Sequence, residues 1–329
     1  VAEFKSRYFD ALLNLVWRQW TRLGIPGHID DGIQQHYVID PEVLLLFSAW
    51  FCRYDQRLYD LVIDWLRLNG NFINLQRIKS LGKKVYRFDS ASLGVMVNAM
   101  SDQGERRWTK FAEDLLPSGN ASPVPLFRNF DGQPNDFQRT ADERALRYGL
   151  IRNPYLPSGK VASFPVGEAT FLLQLRGAFG LSARAETILA LLNKDICKIQ
   201  DIANISGFSW KSVQDVLAEL SSASIVATHG EGKRGRYYFL KNPKNLLNLF
   251  EQQKASFPNW LHIYDALSIV FDTIANPRLE GLSERTVSGE IRRMFEEQIG
   301  ESLLDVGVNE LKFLNPGNLD HLVDVIAVL

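Results

Sequence analysis

Long apolar runs are missing from this chain. The longest nearly uninterrupted one, Val43 to Cys52, is ten residues. A bilayer span takes about 20, so no transmembrane helix is expected. No basic segment followed by an apolar one opens the sequence, so no signal peptide is read there. Cysteine is scarce: Cys52 and Cys197 are the two in 329 residues. They are too few and too far apart for a disulfide framework, and they set the expectation of a reducing, cytoplasmic compartment.

Metal and catalytic patterns are absent too. The five histidines (His28, His36, His229, His262, His321) are scattered, and neither cysteine has a neighbouring ligand residue. His28 and His36, with Asp30 and Asp31 between them, read as a turn before a helix rather than as a metal site. The stretch from Gly230 to Gly235 contains Lys233 but no Ser or Thr after it and lacks the upstream glycine spacing, which excludes a P-loop. Two glycosylation sequons, at Asn120 and Asn204, carry no meaning without a secretion signal. No enzyme, cofactor or metal site is expected.

What remains is an ordinary globular composition, 46% hydrophobic and 23% charged, long enough for two or three domains. Net charge is −1 but unevenly spread. From Trp260 to the end, 5 basic residues stand against 12 acidic ones, whereas the first 259 residues carry 32 basic and 26 acidic. One acid-free basic cluster lies between Arg67 and Phe88 (Arg67, Arg77, Lys79, Lys83, Lys84, Arg87). Another lies between Lys233 and Lys244 (Lys233, Arg234, Arg236, Lys241, Lys244). Two basic patches and an acidic tail suit a polyanion binder, although a solvated face presents the same pattern.

The reading along the chain is mainly α. Residues 1–116 form an N-terminal helical domain. Phe9, Leu12, Leu13, Val16, Trp17 and Trp20 recur at helical spacing, and Asp40, Pro41 and Glu42 supply a cap, a first-turn proline and an acid for the next helix. Seven of the 13 prolines fall between Pro117 and Pro165, marking 117–178 as a linker or arm. Leu126, Phe127, Phe130, Phe137, Leu150, Ile151 and Tyr155 punctuate it, too many large apolar groups for a free linker, so it is read as ordered against a domain. Residues 251–329 form an acidic helical domain.

Residues 179–250 carry the most specific pattern. Ser182 caps a helix with the inward stripe Ala185, Ile188, Leu189 and Leu192. A short helix, Ile199 to Ile205, is broken by Gly207, and Ser209 caps a third with the stripe Val213, Val216, Leu217 and Leu220. Two β-rich stretches, Ile225 to Thr228 and Arg236 to Leu240, flank a glycine-rich basic tip. Ala203 supplies the small residue where two helices nearly touch, and Gly207 the left-handed turn. On these residues the segment resembles the winged helix-turn-helix superfamily of bacterial transcriptional regulators, broadly of the ArsR and MarR types, over about 60 residues.

The resemblance implies a three-helix domain with a β-hairpin wing, flanked by further helical domains, acting on double-stranded DNA. Its third helix would enter the major groove with Ser209, Lys211, Ser212, Gln214 and Asp215 outward, and Lys233, Arg234 and Arg236 would reach phosphates or the minor groove. Trp210 is read beside the core stripe rather than as a base-stacking group. A divergent second helix-turn-helix around Asn74, Gln76, Arg77 and Lys79, with Lys83, Lys84 and Arg87 beyond it, competes with a helical scaffold that has a basic end. One cation on the third helix is a weak grip, so a homodimer is expected, held by the last helix (Leu319, Leu322, Val323, Val325, Ile326, Val328, Leu329) or by the first, with Trp17 and Trp20. Both helices packing onto their own chain is the other reading. The acidic C-terminal helices suit a protein partner. The function expected is sequence-specific regulation by operator occupancy. An antitoxin-like regulator restraining a partner enzyme, or an enzyme with an unrecognised helical active site and a targeting winged helix, stand as alternatives.

Overall fold

The computed structural model describes residues 2–27, 37–101, 104–119, 122–135, 140–230, 236–253, 256–299, 303, 306–308, 311 and 317–329. The chain is mainly helical, as its periodicity predicts. Its first half is built from α1 (Ala2–Arg22), α2 (Pro41–Phe51), α3 (Gln56–Asn69), α4 (Leu75–Gly82), α5 (Ser90–Asn98) and α6 (Arg106–Asp114). Four starts are set by side-chain caps: Asp40 accepts from Val43 N at 3.2 Å, Asp55 from Leu58 N at 2.9 Å, Asn74 from Arg77 N at 3.1 Å and Asp89 from Ser92 N at 2.9 Å. Each cap satisfies a donor that the helix itself leaves unpaired. Every residue of α2 is buried, as suits a helix apolar on all sides.

The proline-rich stretch is tied down along α3 and α5. A short parallel pair, β1 (Val124–Pro125) with β2 (Leu150–Ile151), and one turn of helix, α7 (Glu143–Leu146), give it local order. Leu126, Phe127, Ala145, Tyr148 and Leu150 are buried. Arg53 donates from Nε to the Leu126 carbonyl at 2.8 Å, and Phe164 meets Phe72 edge-on at 4.9 Å. Of its large apolar residues, Phe137 lies outside the described residues.

Next come α8 (Phe171–Phe179), α9 (Ala183–Asn193), α10 (Ile199–Ser206), α11 (Trp210–Ser222), β3 (Val226–His229), β4 (Tyr237–Leu240) and α12 (Pro243–Leu249). Helices α9, α10 and α11 pack on one another through Ile188, Leu189, Ile202, Val213, Leu217 and their neighbours. Strands β3 and β4 pair antiparallel, Val226 opposite Leu240 and His229 opposite Tyr237. Cys197 bridges the other edge of β4 through two backbone hydrogen bonds with Tyr238, at 3.0 and 2.8 Å.

The C-terminal helices α13 (Trp260–Ala275), α14 (Glu284–Met294) and α15 (Leu319–Val328) return to the first half. Helix α13 lies on α1 and α2: Tyr8 donates to the Leu267 carbonyl at 2.9 Å, Tyr264 donates to Gln19 at 2.6 Å, and Phe47 stacks on Tyr264 at 4.3 Å. Helix α15 packs along α1, with Leu319, Leu322, Val325, Ile326 and Leu329 buried. Arg18 caps its end by donating to the Ile326 carbonyl at 3.0 Å. Trp20 is buried against α2 and donates to Ser48 at 2.8 Å, while Trp17 donates to Asp55 at 2.9 Å. The two apolar surfaces from which a homodimer was expected are therefore used inside the chain; of the α15 apolar side chains only Val328 is exposed. Among the described residues no helix is long and apolar enough to cross a membrane.

Candidate nucleic-acid interface

Gly207 adopts φ 73° and its N–H caps α10 on the Ala203 carbonyl, the left-handed turn that its position predicts. The turn reverses the chain into α11, whose start is fixed by Ser209 Oγ accepting from Ser212 N at 3.1 Å. Val213, Val216, Leu217 and Leu220 face inward. The opposite face is open. Trp210, Lys211, Asp215 and Ala218 are exposed, and Ser212 and Gln214 half-exposed. Lys211 and Asp215 form an exposed pair at 2.6 Å. Such a pair contributes roughly 0.3–0.5 kcal/mol, so a stronger anion can take the lysine from it.

Trp210 departs from its sequence reading. It is 43% exposed, not packed beside the stripe. A helical side chain leans toward the N-terminus, and at the first position of α11 there is no earlier turn of core to receive it. The indole is exposed at the start of the helix, next in sequence to the exposed Lys211.

Beyond β3 and β4 the tip falls outside the described residues, and with it Lys233 and Arg234. Arg236, at the start of the return, is exposed. The pairing of His229 with Tyr237 brings the two ends of the tip together.

The N-terminal basic cluster is divided by the fold. Arg77 is a correction: it is 1% exposed and no surface cation. Its guanidinium pairs with Asp40 and, at 2.7 Å, with Glu42, while its Nε donates to the Ser206 carbonyl at 2.6 Å. Arg176 on α8 completes the network, binding Glu42 at 2.6 Å and Glu186 on α9 at 2.6 Å. Burial alone would push the Asp40 carboxyl up, but Arg77, with Arg176 and the Val43 N–H, outweighs it and holds the group below its ordinary range. Lys79 pairs with Asp114, and Arg87 with Asp272 on α13 while lying 4.4 Å over the Trp50 ring. Asn74, buried, caps α4 and donates to the Leu181 carbonyl at 3.2 Å. Helix α4 therefore does not present Asn74 and Arg77 as a second recognition helix would; it is scaffold.

That scaffold holds the turn. Ser80 donates to the Gly207 carbonyl at 3.2 Å, and a Cβ at Gly207 would stand 3.0 Å from Leu81. Lys83 and Lys84 follow directly and are exposed. Of the two basic patches, Lys83 and Lys84 after α4 and Arg236, Lys241 and Lys244 around β4 are exposed among the described residues, and Lys211 on α11 adds a cation outside both. Sequence reading took Asp40 and Glu42 for a cap and a dipole acid. The one signal of their further role is an acid set in an otherwise apolar helix, which must find a buried cation. Its partner Arg176 stands 134 positions away, with nothing local to announce it.

Among the described residues no three His, Cys, Asp or Glu side chains converge as a metal site. Comparison of the chain with known protein families, with curated proteins and with solved structures finds no match in any of the three.

Proposed function

We propose that residues 183–240 form a winged helix-turn-helix that binds duplex DNA, and that the protein regulates transcription by occupying an operator, with no bond made or broken. The observation that carries this reading is the outward face of α11. It is solvent-exposed and polar, starts at a tight left-handed turn, and lies in the same unit as a two-stranded hairpin whose tip is basic in sequence. A helix of this kind fits the major groove, where Lys and Gln can meet base edges, while cations on the hairpin and at Lys83 and Lys84 meet phosphates. Trp210 adds an apolar contact at the helix start.

The test is a gel-shift titration against DNA from upstream of the protein's own gene, repeated over a series of salt concentrations. Replacing Lys233, Arg234 and Arg236 together with Ala should weaken binding and lower the salt slope by roughly two to three, about 0.9 for each phosphate no longer neutralised. Unchanged affinity and slope in that variant would overturn the assignment.

A further inference from the structure

A cavity of about 340 Å3 opens between α3, α5 and the proline-rich arm, away from the three-helix and hairpin unit. Among the described residues three arginines line it (Arg67 from α3, Arg144 and Arg152 from the arm) with one carboxylate, Asp142. Asp142 is held in the wall: its carboxylate accepts from Arg144 N at 3.0 Å, and its N–H donates to the Arg152 carbonyl at 2.8 Å. Ile63, Val95 and Pro154 supply an apolar side. A volume of this size holds a metabolite rather than a lone ion.

One polar group in the cavity wall is left unsatisfied among the described residues. Arg152 is buried among the rings of Tyr59, Phe127 and Tyr155, 5.5 to 5.9 Å from their centres. Its Nη2 donates to Asp60 at 2.7 Å and its Nε to the Asn153 carbonyl at 2.9 Å, but its Nη1 has no acceptor among the described residues. Asn98, 7% exposed, brings a further side-chain amide to the cavity lining. A buried polar group without a partner costs about 1–3 kcal/mol, so such a group in a cavity marks a place where a ligand supplies the partner. Two further acids lie behind the wall and are held by it: Asp60 pairs with Arg152 at 2.7 Å, and Asp64 accepts from Tyr155 and from Ser158 N, which leaves Arg67 and Arg144 as the cations nearest the opening. Arg67 is braced at the wall by donating to the Ala99 carbonyl at 2.9 Å.

We propose that this cavity is a binding site for a small anionic molecule, a carboxylate or phosphate carried on a flat, partly apolar body. The guanidinium forks of Arg67 and Arg144 take the anionic oxygens. Asn98 and Arg152 meet polar atoms deeper in, and the body lies against Ile63, Val95 and Pro154. None of these residues belongs to 183–240, so the site stands or falls apart from the DNA reading.

Isothermal titration of the full chain with benzoate, phenyl phosphate and inorganic phosphate, at matched ionic strength, tests it. Benzoate or phenyl phosphate should give saturable heat, and whichever binds tighter identifies the head group; inorganic phosphate, without a body, should bind more weakly than the tighter of the two. In Arg144→Ala and Asn98→Ala the affinity of that probe should fall by about tenfold or more, as expected when one hydrogen bond to a charged group is removed. Arg144 lies at the exposed rim, so its variant tests the site without disturbing the fold. No saturable heat with either organic anion up to about 20 mM, or unchanged affinity in either variant, would overturn the proposal.

Discussion

Arg77 shows how much one side chain can change meaning between sequence and structure. In the chain it belongs to a run of six cations without an acid; in the fold it is the centre of a dry network joining α2, α4 and the end of α10. Replacing it with Ala would leave Asp40 bound to no cation and Glu42 dependent on Arg176 alone. Breaking a buried pair from one side costs about 3–5 kcal/mol, so Arg77→Ala should lower the urea unfolding free energy by about that amount; a decrease below about 1 kcal/mol would show the network to be solvated. Glu186 keeps one carboxylate oxygen without a hydrogen bond in this network, which makes the remaining bonds to Arg176 the more important. Buried acid and base are thus mutually required, and no member of the network is free to meet DNA.

Among the elements, α11 carries the function proposed for the molecule. Its inward stripe was legible because four apolar residues at helical spacing admit one packing face. Its outward face follows by subtraction, and Gln214 sits near the middle of it. Gln214→Ala should shift the sequence preference rather than the overall affinity, since a glutamine amide paired to a base contributes roughly 1–3 kcal/mol of discrimination. Site selection from a random DNA pool with both proteins measures this, and identical motifs from the two would remove base reading from Gln214. Helix α4, by contrast, was equally compatible in sequence with recognition and with scaffold. Its packing against Ser206 and Gly207 buries Arg77, and Asn74 is buried with it, so two of the side chains read as recognition groups are withdrawn while Gln76 stays exposed.

For the whole molecule, the acidic C-terminal helices close on the first half instead of standing apart. Asp272 meets Arg87, and Asp265 accepts the Tyr86 N–H at 2.8 Å, its carboxyl pushed up to about 6 by burial. The charge asymmetry of the sequence is therefore partly cancelled within the fold. So is the apolar excess of the last helix, which lies on α1. Light scattering over a concentration series should give a mass near the 37.4 kDa of one chain, and a concentration-dependent doubling would require an interface on other surfaces. On the proposed function, a single chain would draw its grip on DNA from several places at once, with Lys83 and Lys84 adding to Lys211 and the hairpin.

The sequence by itself determined the helical character, the caps at Asp40, Ser182 and Ser209, the left-handed turn at Gly207 and the inward stripes of α9 and α11. These depend on interactions within a few residues or on a periodicity that one face must satisfy, so they can be read along the chain. The tertiary structure alone decided which charges are buried, where the arm lies, which apolar faces are covered by the same chain and where a cavity opens. Most of those outcomes depend on partners distant in the chain, Arg77 with Glu42 at 35 positions and Arg7 with Asp320 at 313 among them. Charge and hydropathy give each residue its need for a partner, and only the packing of the whole chain selects which partner meets it.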